Sequence, residues 1–218
     1  MPSSYTLLSI QVGTPVTYPP VEPDGKPWRS AIVKHPVDGP VMARTTGLDG
    51  DKQSDPRVHG GPNRAINVYP AEHYAVWRAA PGLEAMTGGA FGENFTTLGL
   101  LEDTACIGDV FRVGQVLVEI SQPRGPCFKL NRRWNVEDLQ QRAEQERRFG
   151  WYLRVREEGL VEAGQEMALL ERPYPQWTVR TAWDLRLEPI DAVAVRALIA
   201  CPALSEDWKR SLQKRLPK

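Results

Sequence analysis

Short apolar runs broken by Gly, Pro and Asp turns fill about the first 170 residues, a texture that predicts strands rather than helices. The clearest case is CIGDVFRVGQVLVEISQ, residues 106–122, where Val116, Val118 and Ile120 share one face. Gly114 permits the turn between the two strands of that stretch. WYLRVREEG sets Trp151, Leu153 and Val155 against Tyr152, Arg154 and Arg156, another strand, and VEAGQEMALLERP continues as a turn and a strand. MPSSYTLLSIQVG reads as the first strand of the series.

Two stretches switch to a helical pattern. YPAEHYAVWRAAPG has Pro70 near a predicted helix start, Glu72 in the first turn, and Pro81-Gly82 as a stop. NVEDLQQRAEQERRFG has Asn135 as an N-cap and Gly150 as a C-terminal stop. After Pro175 three amphipathic segments follow, TVRTAWDLRLE, DAVAVRALIA and SEDWKRSLQKRL, separated by Pro189 and Pro202. Ser205 is a good N-cap, and Trp208, Leu212 and Leu216 fall on one helical face. The pattern predicts a mainly β (α+β) protein: a barrel-like domain over residues 1–172 and a three-helix domain over 173–218. Helices that short are marginal alone, so the second domain is expected to pack on something.

Composition narrows the function classes. Lys+Arg and Asp+Glu both number 27, so no global field steers the chain to nucleic acid or an anionic membrane, and any basic site must be local. The three C-terminal segments lack a basic recognition face. No apolar run approaches the ~20 residues of a membrane span, and the opening lacks a signal-peptide layout. Three cysteines make no disulfide framework, and a reducing, cytoplasmic location is expected.

Local positive charge gathers at SQPRGPCFKLNRRW, residues 121–134, where Gln122 and Arg124 precede Cys127, and Lys129, Arg132 and Arg133 follow it. Neighbouring cations favour thiolate over thiol, and the thiolate attacks electrophiles or binds metal. Cys106 and Cys201 instead sit among apolar residues and read as buried packing thiols. A cysteine hydrolase would need a histidine base, and His59 in RVHGGPNRAI is one available partner. Zinc is poorly supported, since there is no C-x-x-C or H-x-x-x-H. DGDKQSD starts like a calcium loop but has Ser54 and Gly60 at its sixth and twelfth positions. Three cysteines are too few for a four-thiolate iron–sulfur cluster. One thiolate could still complete the shell of a metal already chelated by a cofactor.

Around that thiol stand weaker signals. Gly60 and Gly61 allow backbone N–H groups to approach a ligand, and Arg64 can pair with an anion; a tight turn with a solvated arginine explains the same residues equally well. GGAFGENF, residues 88–95, is glycine-rich without nucleotide-loop spacing; Asn94 is a polar contact for a ligand, although a structural loop is the simpler reading. Lys34 ends an apolar run and would ordinarily be a solvated strand end.

Taken together, SAIVKHPVDGPV, GLDGDKQSDPRVHGGPNRAINVYPAEHY, FGENF, CIGDVFRVG and SQPRGPCFKL resemble the MOSC domain family (molybdenum cofactor sulfurase C-terminal), in its stand-alone bacterial YiiM-like branch. The end of the chain, from QWTVRTAWDLRLE onward, resembles the three-helix 3-alpha domain of that branch. The resemblance implies a β-barrel binding a molybdopterin-type molybdenum cofactor, with Cys127 bonded to molybdenum and no requirement for pyridoxal phosphate. It places cofactor contacts at Lys34, His59, Gly60, Gly61, Arg64, Glu93, Asn94, Gln122 and Arg124, and gives His59 and Asn94 catalytic roles beside Cys127. The implied reaction is reduction of N-hydroxylated compounds, such as 6-hydroxylaminopurine-type bases, to amines. Electrons would come from a separate flavin reductase or ferredoxin-like partner, because G-x-G-x-x-G is absent and the cysteines are too few. The resemblance also admits a homodimer. A persulfide or cofactor carrier built on Cys127 is the alternative from another class.

Overall fold

The computed structural model describes residues 5–21, 25–55, 59–188 and 191–217. Thirteen strands appear among them: β1 (Tyr5–Val12), β2 (Val16–Tyr18), β3 (Trp28–Ser30), β4 (His35–Pro36), β5 (Val41–Arg44), β6 (Gly47–Leu48), β7 (Ile66–Pro70), β8 (Phe95–Leu98), β9 (Val110–Val113), β10 (Val116–Pro123), β11 (Trp151–Glu157), β12 (Gly159–Val161) and β13 (Glu166–Glu171). Seven of them close a barrel in the order β13-β9-β10-β11-β7-β8-β1, sealed where Tyr5 pairs with Met167 and Thr6 with Glu166. Closure leaves no edge strand in that ring. Its pairs are antiparallel except β7 and β8, which run parallel with Val68 opposite Phe95. A parallel pair needs a long crossover, and residues 71–94 supply it, carrying a helix and the glycine-rich loop.

The expected alternation holds where it was clearest. Val116, Val118 and Ile120 of β10 and Trp151, Leu153 and Val155 of β11 all point into the core, and Gly114 turns the β9–β10 hairpin at φ +55°. Cys106 and Cys201 are both buried. The helices are α1 (His73–Trp77), α2 (Lys129–Trp134), α3 (Leu139–Gln145), α4 (Val179–Leu187), α5 (Ala192–Ile199) and α6 (Glu206–Gln213). The last three fall where the sequence pattern puts them; Pro189 lies outside the described residues. Ser205 caps α6 by accepting from Trp208 N–H at 3.2 Å. Trp208 and Leu212 are buried, with Leu216 packed beside them.

Three local expectations are corrected. Pro70 ends β7 rather than starting a helix, because Val68 to Pro70 pair along β8; α1 is then only five residues long. Asn135 does not open a helix. It closes α2 in the left-handed conformation at φ 50°, and α3 begins four residues later. Gly150 stops no helix either. Its φ of +71° lets the chain enter β11, and a Cβ there would lie 2.0 Å from Val68 O, so the approach of β11 to β7 requires glycine.

One hydrophobic core runs through barrel and helices alike, joining Leu7, Phe111, Val118 and Trp151 to Val179, Trp183, Val195 and Leu212. The helical domain therefore packs on the barrel. A second cluster, with Tyr69, Trp77, Phe91, Leu130 and Leu139, fixes α1 to α3 beside the barrel end where β10 stops.

Candidate functional site

At that end a solvent-connected cleft opens. Its walls come from distant parts of the chain: Ser30 to Ile32 with Lys34, Asp51 to Ser54, His59, Arg64, Asn67, Phe91, Gly92, Asn94, and Arg124, Gly125, Cys127 and Lys129 with Tyr152. Cys127 is half-buried there. It follows β10 across Pro123–Pro126, and its carbonyl accepts from Leu130 N–H at 2.9 Å as α2 begins. Beside it Phe128 is 53% exposed, with the Arg132 guanidinium 5.3 Å over its ring.

Cations surround the thiol's cleft. Arg124 is only 4% exposed. Its backbone N–H donates to Gly150 O at 3.1 Å and its Nη2 to Phe91 O, while Nη1 is buried with no hydrogen-bond partner. A buried guanidinium nitrogen without an acceptor costs about 1–3 kcal/mol or more, so an anionic acceptor placed against it would be favoured. Lys34 is not a solvated strand end. It is buried and paired with Asp51; burial lowers its pKa, and the Asp51 charge partly opposes that. Asp51 is itself fixed by Gly13 N–H at 2.8 Å. Arg64 reaches Asp207 at 2.9 Å, and Lys129 donates to Arg29 O at 2.9 Å. His59 has its pKa lowered, first by burial and then by Arg124, Lys129 and Arg64. Burial and these cations together disfavour the protonated imidazole.

Among the residues singled out from sequence, Lys34, His59, Arg64, Asn94, Arg124 and Cys127 share the cleft. Asn94 does so with its amide already committed: Oδ1 accepts from Asn67 N–H and Nδ2 donates to Gln11 O, each at 3.1 Å. Gly60, Gly61, Glu93 and Gln122 are not among the walls. Gly61 is exposed and precedes a 3-10 turn, Pro62–Arg64. Glu93 is fully buried and accepts from Tyr74 Oη, Gly89 N–H (2.6 Å), Phe91 N–H (3.0 Å) and Thr96 Oγ1 (3.0 Å). Gln122 Oε1 accepts from Ser205 Oγ at 2.5 Å, facing the helical domain.

Sequence reading missed Asn67, Asp51, Lys129 and Tyr152 as walls of the cleft. Asn67 carries the sharpest signal: its Nδ2 donates to Gly92 O at 3.1 Å, but its Oδ1 is buried without a partner. An asparagine inside the apolar run Ile66–Val68 was a visible anomaly, since buried amides normally satisfy both ends. Among the described residues no three His, Cys, Asp or Glu side chains could hold a metal ion together. A metal here would bring most of its own ligands.

The donor set suits such a group: one accessible soft thiol, a buried guanidinium nitrogen and further cations for an anionic tail, and an unpartnered amide oxygen for an N–H donor. By fold and site, then, this is a closed-barrel protein whose strand ends hold a cation-lined, single-thiol cleft, backed by three packed helices. Comparison with known proteins takes that further. The MOSC domain family matches residues 55–168, and the YiiM-like 3-alpha helix domain matches 177–218. Protein YiiM of Escherichia coli (strain K12) is 40% identical over 198 residues, covering 88% of this chain and 86% of that one. YflK of Bacillus subtilis (strain 168) is 39% identical over 97% of this chain and 94% of its own length. A protein named Reductase from Gibberella moniliformis is 42% identical over 69% of this chain but only 27% of its own length. The crystal structure of YiiM from Geobacillus stearothermophilus superposes with a TM-score of 0.80 at 34% identity, covering 98% of this chain and all of that one. The chain belongs to the MOSC domain family, in its YiiM-like form with a 3-alpha domain. That family is associated with molybdenum-cofactor binding. No helix among the described residues is long and apolar enough to cross a membrane.

Proposed function

We propose that this protein is a molybdenum-cofactor-dependent reductase of N-hydroxylated compounds. The observation that carries the reading is the convergence of one accessible thiol, Cys127, and one buried, partnerless guanidinium nitrogen, Arg124 Nη1, on a single cleft. When bound, the cofactor supplies two-electron redox chemistry, so that R–NHOH + 2e⁻ + 2H⁺ gives R–NH₂ + H₂O. Cys127 would hold the metal as a single soft ligand. Arg124, with Lys34 and Arg64 nearby, would bind the anionic tail of the pterin. Asn67 Oδ1 would accept from an N–H of pterin or substrate. Asn94 bridges β1 and β7 behind the site, and His59 would relay a proton by accepting at one ring nitrogen while donating from the other.

Family membership and the relative named Reductase favour an oxidoreductase. Electrons come from a separate flavin reductase or ferredoxin-like donor, since three cysteines do not supply a four-thiolate cluster. The decisive experiment is elemental analysis of protein from a cofactor-competent host, beside reduction of an N-hydroxylated purine with a flavin reductase and NADPH. Wild type should hold molybdenum near one per chain and reduce the substrate, and Cys127→Ala should lose both. Wild type free of molybdenum and carrying a persulfide on Cys127 would overturn the reading in favour of a sulfur carrier.

A further inference from the structure

The contacts that join the three helices to the barrel converge on the segment carrying the thiol. After β10 ends at Pro123, residues 124–128 run to α2 without regular structure. Pro123 and Pro126 have no N–H to donate, so backbone hydrogen bonds alone fix this stretch weakly. Packing supplies the rest. Gly125 lies against the indole edge of Trp183 on α4, where a Cβ would stand 3.5 Å from Trp183 Cη2. Trp183 is in turn held between Phe149, at 4.4 Å between ring centroids, and Trp208, at 5.4 Å, with the Arg186 guanidinium over both indoles.

Just upstream, Ser205 grips the end of β10 twice. Its Oγ donates to Gln122 Oε1 at 2.5 Å, and its N–H donates to Ser121 O at 3.0 Å. The same hydroxyl caps α6, so the start of that helix and the start of the thiol segment share one atom. Two residues further on, Asp207 pairs with the cleft-lining Arg64 at 2.9 Å. The helical domain thus reaches two walls of the cleft, Gly125 and Arg64, and the strand end at 121–122 that leads into the thiol segment.

We infer that the three-helix domain is part of the site, with Trp183 and Ser205 acting as positioning residues that hold residues 121–127 so that Arg124 and Cys127 face the cleft. Neither residue touches the cleft itself; both act through Gly125 and Gln122. The inference concerns the thiol's placement and stands whether or not the bound group is a molybdenum cofactor.

The test uses full-length protein purified without cofactor and follows iodoacetamide alkylation of each cysteine by mass spectrometry. Cys106 and Cys201 are buried, one in each domain, and report loss of fold. Trp183→Leu and Ser205→Ala should each shift the Cys127 rate by about fivefold or more through local loosening, with Cys106 and Cys201 still protected. Trp183→Phe, which retains a ring beneath Gly125, should restore a rate within about twofold of wild type. Unchanged Cys127 rates in Trp183→Leu and Ser205→Ala would overturn the inference. If Trp183→Leu exposes all three cysteines, Ser205→Ala decides, and a Cys127 rate equal to wild type there overturns it as well.

Discussion

The glycine-rich loop before β8 and the proline-rich segment after β10 read alike in sequence: GGAFGEN and PRGPC each set a charged residue among glycines or prolines at a barrel end. Their electrostatic fates are opposite. In the first, the Glu93 carboxylate takes four donors, two of them backbone N–H groups of its own loop. In the second, Arg124 finds one carbonyl for Nη2 and nothing for Nη1. The carboxylate sits in a tight turn whose backbone N–H groups converge on it, whereas the Arg124 guanidinium reaches a single carbonyl, Phe91 O, and its second terminal nitrogen faces no acceptor. The saturated loop is architecture, and the unsaturated one is where a ligand gains most.

Removing Glu93 should therefore produce the largest stability effect and no specific effect on ligand binding. Glu93→Ala strands four buried donors and is expected to cost on the order of 3–5 kcal/mol in urea unfolding, with Glu93→Gln costing less because one acceptor oxygen is retained. A loss of anion binding at unchanged stability would move Glu93 from architecture into the site and break the contrast. Arg124→Ala should do the reverse. Binding of inorganic pyrophosphate, read by calorimetry, is expected to weaken about 10- to 100-fold, the value of a charge-assisted hydrogen bond, with a smaller change in stability than Glu93→Ala.

The smallest effect sharpens the picture most. His59 titrates below its ordinary value of 6.5, held down by burial and then by Arg124, Lys129 and Arg64. As pH falls, the unfolded chain takes up this proton first, so His59 favours the folded state fully above about 6.5 and progressively loses that contribution toward the folded value. Pyrophosphate in the cleft should neutralise part of the cationic field and move the His59 midpoint upward in an NMR titration. Arg124→Ala should move it upward without any ligand. A midpoint indifferent to both would mean that the cations act on His59 more weakly than their placement indicates.

Cys127, Arg124 and the strand pattern were legible because each rests on neighbours in sequence: alternation along a strand, or charge beside a thiol. Glu93 and Gln122 show the limit. Both are polar residues in motifs that look like ligand contacts, yet one is consumed by donors of its own loop and of Tyr74 and the other by Ser205, eighty-three positions away. Lys34 errs in the other direction: an ordinary strand-end lysine becomes a buried cleft cation only because Asp51 folds against it. Asn135 and Gly150 show the same limit for local structure. A residue that caps one helix in sequence can close the preceding one, and a glycine placed as a stop can instead permit a strand to pass 2.0 Å from where its Cβ would be.

What the sequence by itself determined was local: the alternating strands, the three C-terminal helices with the Ser205 cap, and a thiol set among cations. Those follow from periodicity, capping and charge density, which act over a few residues. Which polar groups are already satisfied, and which face the cleft unsatisfied, was decided only by the tertiary structure. Hydrogen-bond capacity is used up by partners distant in the chain, so Arg124 Nη1 and Asn67 Oδ1 are distinguished from Glu93 and Gln122 only after the barrel has closed and the helices have docked on it.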